Sequence, residues 1–278
     1  MNVLSLFDGI SCGQVALERA GVTVDKYFAS EIDKNAMLIT QRNYPRTIQV
    51  GDVSNIKGRD LPKIDLLIGG SPCQGFSYLG NQLNFIDPRS RLFFEYVRVL
   101  NEVKPKYFLL ENVKMKQEYQ DIITRHMGVE PILVDSEVIS AQMRKRLYWT
   151  NIPGVEYPQR KNITFQDVLE SGYTDREKAL CILESENRLN ISSQDLYRRN
   201  KTKALGNIVY FSKELDPAKG VRMLTQIELE KLQTLPVGYT QPLKRNAAAG
   251  LIGNGWTVDV IAHIFDSVEA QVANAVAS

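Results

Sequence analysis

An α/β fold with a doubly wound, mostly parallel sheet and a small irregular lobe is the architecture this sequence predicts. Three observations lead there. Short apolar runs alternate with helical patterns, the runs are continuous rather than alternating with polar residues, and this order is lost after Trp149. Continuous runs suit strands covered on both faces by helices. Val3–Phe7 reads as the first strand, followed by a glycine-containing turn and a helix over Gln14–Ala20 that Gly21 stops. Lys26–Ser30 is the second strand, and Asp33 caps the helix after it. Thr47–Val50, Ile64–Ile68 and Tyr107–Leu110 continue the series, with a helix over Ser90–Val103 between the last two. Ile132–Val134 and Leu147–Trp149 read as closing strands.

The stretch from Ile152 to Val221 has Pro, Gly and Asn breaks, one short helix near Phe165–Glu170 and the charged run Tyr197–Lys203. Helical spacing resumes over Gln226–Leu232 and Val258–Val272. The expected organisation is therefore a first domain over residues 1–151, a small lobe over 152–221, and a return to the first domain over 222–278.

With 44% apolar and 24% charged residues, the chain can bury a core and is not a disordered polymer. No apolar run approaches the roughly 18 residues that span a bilayer, and the first residues lack a basic leader, so neither a membrane protein nor an exported one is expected. Three cysteines (Cys12, Cys73, Cys181) cannot all pair, which points to a reducing compartment. His126 and His263 stand apart from any cysteine cluster, so no metal site is expected. From Arg144 to Arg222, fifteen basic residues face ten acidic ones, a local excess hidden by the overall charge of +2. That excess suits a polyanion docking on one side, and equally an ordinary solvated surface.

Ligands of open α/β sheets bind at the carboxyl ends of the strands. Five strand ends here carry unusual residues. The first leads into Phe7-Asp8-Gly9-Ile10-Ser11-Cys12-Gly13, where glycine admits close backbone approach and a helix start offers free N–H groups. The second ends at Glu31, whose carboxylate can accept bonds from a ribose diol. The third ends in Gly51-Asp52-Val53, an acceptor for an adenine amino group. Together these describe an adenosine site; a nicotinamide dinucleotide fits the same plan, but the G-x-G-x-x-G spacing is absent. The fourth leads into Gly69-Gly70-Ser71-Pro72-Cys73-Gln74, where Pro72 stiffens the turn that presents Cys73. The fifth ends in Glu111-Asn112-Val113. A thiol beside a carboxylic acid, with no histidine near in sequence, suggests attack on a ring that the acid polarises rather than a protease-type dyad.

On these motifs the sequence resembles the DNA (cytosine-5)-methyltransferase family over almost the whole chain. Gln142-Met143-Arg144-Lys145-Arg146, Arg222-Met223-Leu224-Thr225 with Gln233-Thr234-Leu235-Pro236, and Gly253-Asn254-Gly255-Trp256 extend the likeness in matching order. Phe7-Asp8-Gly9-Ile10, Arg91-Leu92-Phe93-Phe94-Glu95 and Trp256 are similar to the animal de novo DNA methyltransferases, although a bacterial or phage member is expected.

The resemblance implies S-adenosylmethionine as methyl donor, held by Phe7, Asp8, Gly9, Ile10, Cys12, Gly13, Glu31, Ile32, Asp52, Val53 and Pro72, with Asn254, Gly255 and Trp256 closing the pocket. It implies that Cys73 adds to cytosine carbon 6 and Glu111 bonds ring nitrogen 3, while Arg146 holds the carbonyl and Arg144 supports the site. The target base must be flipped out of duplex DNA. Gln74, Ser77, Tyr78 and Leu79, in a closing loop, and Arg198, Arg199, Lys201 and Lys203, in the lobe, are the expected DNA contacts, with Tyr78 or Leu79 as the wedge. A cytoplasmic, nucleoid-associated enzyme, with a restriction endonuclease as a conceivable partner, completes the expectation. A tRNA cytosine-5 methyltransferase of the same fold and a catalytically silent DNA-binding relative are the alternatives.

Overall fold

The first strand of the computed structural model, β1 (Asn2–Leu6), is buried over its last four residues and runs straight into the glycine turn. The structure describes residues 1–72, 91–184, 192–203 and 206–277. Packing divides the chain into two units, one of residues 1–134, 145–157 and 262–278, the other of residues 135–144 and 158–261.

In the first unit, α1 (Cys12–Arg19) follows the turn, then β2 (Lys26–Ser30) and α2 (Lys34–Asn43). Asp33 caps α2 as its sequence suggests, its side chain accepting from the N–H groups of Asn35 and Ala36. β3 (Ile48–Gln49) is only two residues long, shorter than its apolar run suggests. β4 (Leu66–Gly70), α3 (Arg91–Val103), β5 (Tyr107–Val113), α4 (Gln117–Met127), β6 (Ile132–Asp135) and β7 (Lys145–Thr150) complete the series. The seven strands form one sheet in the order β3-β2-β1-β4-β5-β7-β6. Pairings from β3 through β5 are parallel, whereas β7 runs antiparallel to β5. The order reverses between β1 and β4, which makes their carboxyl ends the topological switch point.

Two elements of this unit depart from the sequence expectation. Glu111, Asn112 and Val113 lie inside β5 rather than beyond it, because the register with β7 carries the ladder on to Val113. The helix α4 was not expected; its narrow stripe of Tyr119, Ile123 and Met127 is the part that is buried, and Gly128, in the left-handed region, ends it. The core gathers Leu4, Leu6, Leu67, Phe93, Tyr96, Leu110, Leu147 and Trp149.

In the second unit, α5 (Phe165–Val168) opens with a capping box between Thr164 and Asp167. The charged run Tyr197–Lys203 is helical, as part of α6 (Ser193–Lys203), and Leu196 of that helix packs with Ile208, Tyr210 and Val221. β8 (Val209–Tyr210) pairs antiparallel with β9 (Val221–Arg222). A second capping box, Thr225 with Glu228, starts α7 (Gln226–Leu232). α8 (Arg245–Asn254) and α9 (Val258–Ala277) follow, and Asn254 is the last residue of α8. Buried Lys178 donates to the carbonyls of Glu137, Ser140 and Ile163 at 2.7, 2.8 and 2.6 Å, so its ammonium is satisfied away from water.

Candidate active site

The turn after β1 alternates its backbone hand. Phe7, Gly9 and Ser11 have φ of 57°, 59° and 55°, and two of the three are not glycine. Left-handed non-glycine residues cost on the order of 1 kcal/mol each and persist where surrounding bonds hold them. Here the Asp8 carboxylate does so, accepting from the Ser11 hydroxyl and from the Tyr27 hydroxyl at 2.7 Å. Burial raises the Asp8 pKa to about 6, against the lowering effect of hydroxyl bonds from Ser11, Ser5 and Tyr27, and the Glu31 charge adds to the rise. A Cβ built at Gly9 would meet nothing within 4 Å, and the same holds at Gly51, so open space lies over both strand ends.

Glu31, just past β2, reaches back to this turn. Its Oε2 accepts from the Gly9 N–H at 2.7 Å, and Oε1 accepts from Ile32 and Asp33 at 2.7 and 2.8 Å. Three oriented N–H groups fix the carboxylate, and about four acceptor positions per carboxylate leave one for a ligand hydroxyl. Ile32 is 73% exposed, an apolar side chain left uncovered beside it. The Ser30 hydroxyl donates to the Gly51 carbonyl at 2.7 Å and so ties the ends of β2 and β3 together. Asp52 accepts the Ser54 N–H and hydroxyl on Oδ1, and those bonds hold its pKa below the usual value. Arg98 of α3 donates to the carbonyls of Val53 and Ile56 at 2.9 and 2.8 Å, and its ion pairs with Glu95 and Glu102 aim it there.

At the other side of the switch point, Gly70 of β4 lies opposite Glu111 of β5. The chain continues from Gly70 to Ser71 and Pro72. Asn112, 1% exposed, donates to the Ser71 hydroxyl at 3.2 Å and to the Ser71 carbonyl at 3.4 Å, fixing Ser71, two residues before Cys73. Glu111 and Val113 share a face of β5, and Arg146 of β7 stands opposite Val113. The diagonal neighbours therefore meet, with Arg146 Nε 2.9 Å from Glu111 Oε1 and both side chains nearly covered. A carboxylate and a guanidinium thus share one strand edge beside the turn into Cys73.

The model of the family described as C-5 cytosine-specific DNA methylase matches residues 1–149 and 139–270. The chain belongs to that family.

Family relatives and solved folds agree in kind. A region of 191 residues is 46% identical to an orphan methyltransferase, M.SPRI, of Bacillus phage SPR, covering 62% of this chain and 43% of that protein. The Type II methyltransferase M.NlaX of Neisseria lactamica is 29% identical over 312 residues, 98% of this chain and 97% of its own. The chain spans about half the length of four other curated relatives or less, M.SPRI included. Among solved structures, the Entamoeba histolytica methyltransferase EhMeth superposes with a TM-score of 0.78 at 17% identity over 98% of both chains, a likeness of fold.

Within this methylase fold, Glu111 and Arg146 come together, as do Gly9 with Glu31 and Asp8 with Ser11. Ile10 and Cys12 are buried at the start of α1, and Val53 is buried behind Asp52. Arg144 bonds main-chain groups of its own unit. Its guanidinium donates to the carbonyls of Gly253 and Gly255 at 3.0 and 2.9 Å and to that of Ile182 at 3.2 Å. Arg198 pairs with Asp195 one turn earlier on α6. Cys73, Gln74, Ser77, Tyr78 and Leu79 lie outside the described residues, as do the side chains of Arg199, Lys201 and Lys203. Arg98 and Asn112 were given no role from the sequence; Arg98 works on main-chain carbonyls, which carry no sequence signal, and Asn112 on the hydroxyl and carbonyl of Ser71, just past a neighbouring strand. Among the described residues no helix is long and apolar enough to cross a membrane, and no cluster of His, Cys, Asp and Glu could hold a metal.

Proposed function

We propose that the chain is a DNA (cytosine-5)-methyltransferase that modifies a cytosine flipped out of duplex DNA. The observation that supports it best is the Glu111–Arg146 pair at the carboxyl edge of the sheet, one strand from the turn leading to Cys73. S-adenosylmethionine, when bound, supplies an electrophilic methyl group. The strand ends suit such a donor: open space over Gly9 and Gly51, an oriented Glu31 carboxylate for the ribose, and Asp52 for the adenine amino group. Phe7, Ile32, Val53 and Pro72 would line the same site, and Asn254, Gly255 and Trp256 are the further donor contacts that the resemblance implies.

Cytosine carbon 5 is a weak nucleophile, so the ring must first be made electron-rich. Cys73, as thiolate, adds to carbon 6, and Glu111 hydrogen-bonds ring nitrogen 3 and the exocyclic amine. Arg146, held by Glu111, donates to the carbonyl at carbon 2. Once carbon 5 of that adduct carries the methyl group, its own hydrogen leaves as a proton to solvent and the electrons of that bond re-form the 5,6 double bond, expelling Cys73 from carbon 6 as thiolate. A stacked base cannot be reached in this way, so the enzyme bears an unstacking cost of a few kcal/mol. In a bacterial or phage-infected cell the activity would serve DNA modification, with or without an endonuclease that reads the same site.

The test is transfer of labelled methyl onto duplex DNA and, in parallel, onto tRNA. Label in DNA that disappears in Cys73→Ala, together with a gel-stable adduct on a 5-fluorocytosine duplex, is the expected result. Label only in tRNA, or turnover in Cys73→Ala, overturns the proposal.

A further inference from the structure

A buried polar network surrounds the Gly253–Trp256 turn, and its members have no place in the chemistry above. Gln233 is fully buried, and all four bonding positions of its amide are filled. Nε2 donates to the carbonyls of Ile252 and Gly255 at 2.9 and 3.1 Å, and Oε1 accepts from Gln142 Nε2 and Thr257 Oγ1 at 3.1 and 2.8 Å. Gln142, also fully buried, donates to the Leu232 carbonyl at 3.2 Å and accepts from the Ile182 N–H at 2.7 Å. Arg144 is 5% exposed; Nη1 meets Ile182 O and Cys181 Sγ, both at 3.2 Å, and Nη2 meets Gly253 O and Gly255 O. The Gly255 carbonyl therefore accepts from Gln233 and Arg144 together. Gly253 adds a close backbone approach, since a Cβ there would stand 2.7 Å from the Leu183 carbonyl carbon.

We propose that Gln142, Arg144, Gln233 and Thr257 are positioning residues that set the Gly253–Trp256 turn for the methyl donor. Arg144 acts through that turn and not on the flipped base. The inference rests on the donor-binding reading above. Its physical basis is commitment: a buried guanidinium bonded to three carbonyls cannot swing to a ligand without stranding those acceptors away from water. Arg146 pairs with Glu111. The two arginines of one short motif thus serve two different sites.

The experiment titrates S-adenosylhomocysteine into the full chain, following tryptophan emission with Trp256→Phe as the control for the reporting residue. It also measures separate KM values for donor and duplex. Arg144→Lys keeps the charge but cannot span both carbonyls, so its affinity for S-adenosylhomocysteine should fall about tenfold. The duplex KM should stay at the wild-type value, and kcat at saturating donor should be retained. Thr257→Val removes a single donor to Gln233 and should weaken binding about threefold, with Thr257→Ser restoring it. If melting curves show Arg144→Lys unfolded, the Thr257 pair decides. Wild-type donor affinity in the folded variants, or a loss confined to the duplex KM, overturns the inference. A wild-type chain that never binds S-adenosylhomocysteine overturns the donor-binding reading instead, a separate result.

Discussion

Arg146 Nε approaches Glu111 Oε1 to 2.9 Å across the antiparallel ladder between β5 and β7, with neither side chain more than 14% exposed. A covered pair of this kind is held by geometry as much as by charge, and removing one partner leaves the other unsatisfied in a poorly solvated place. Arg146→Lys keeps a cation but loses the planar fork and the Nε donor. Methyl transfer should drop by about 10²–10³-fold while folding persists, as expected when a charged donor at a reacting group is lost. Single-turnover rates beside melting curves check this; unchanged turnover would remove Arg146 from the site.

Asn112 offers a second, milder probe. It holds Ser71 by two bonds from the neighbouring strand, so Asn112→Ala frees the turn in front of Cys73. Loss of these buried bonds should cost about 1–3 kcal/mol of stability. The rate of adduct formation on a 5-fluorocytosine duplex should fall further than the binding of that duplex. Equal losses in both would mean that Asn112 serves stability alone.

Asp8 gives the fold a pH signature. Its pKa is raised from 3.8 to about 6 in the folded chain, chiefly by burial. Below the unfolded value both states are protonated and no penalty exists. Between the two values only the folded state keeps the proton, so stability declines as pH rises, and above about 6 the full penalty of the buried charge is present. Asp8→Asn should therefore gain in melting temperature relative to wild type as pH climbs through this window, reaching a plateau above it. A difference in melting temperature independent of pH would contradict the buried carboxylate.

Gly69 tests the packing at the switch point. A Cβ there would lie 2.9 Å from the Leu6 carbonyl and 3.1 Å from the ring of buried Tyr96. Gly69→Ala must push β4 from β1 or displace Tyr96, and overpacking of this sort costs about 1–3 kcal/mol. Urea unfolding measures it, and a neutral result would mean that the two strands part without strain.

The parallel strands were legible because each is a short apolar run closed by glycine or a carboxylate. Asp33 was readable as a cap because it directly precedes a helical pattern. The meeting of Glu111 with Arg146 was not readable, since it depends on the direction of β7, which no local pattern encodes. α4 was overlooked because Tyr119, Ile123 and Met127 form a narrow stripe among polar residues. α6 was overlooked because its residues are almost wholly hydrophilic and, among those described, Leu196 is the one buried apolar side chain. Arg98, Gln142 and Arg144 bind main-chain carbonyls, and every residue offers one, so the sequence holds no mark of where such a side chain is aimed.

The reversed direction of β7 has a practical result. In a parallel sheet the opening residues of a strand sit at the rim away from the carboxyl ends, but here the opening residue pair Lys145–Arg146 arrives at the rim of those carboxyl ends, and Thr150 finishes at the far one, beside Leu109. Lengthening, trimming or splicing after Thr150 would consequently take place a full strand length from the guanidinium, which makes that junction the natural place to graft foreign sequence without touching the chemistry.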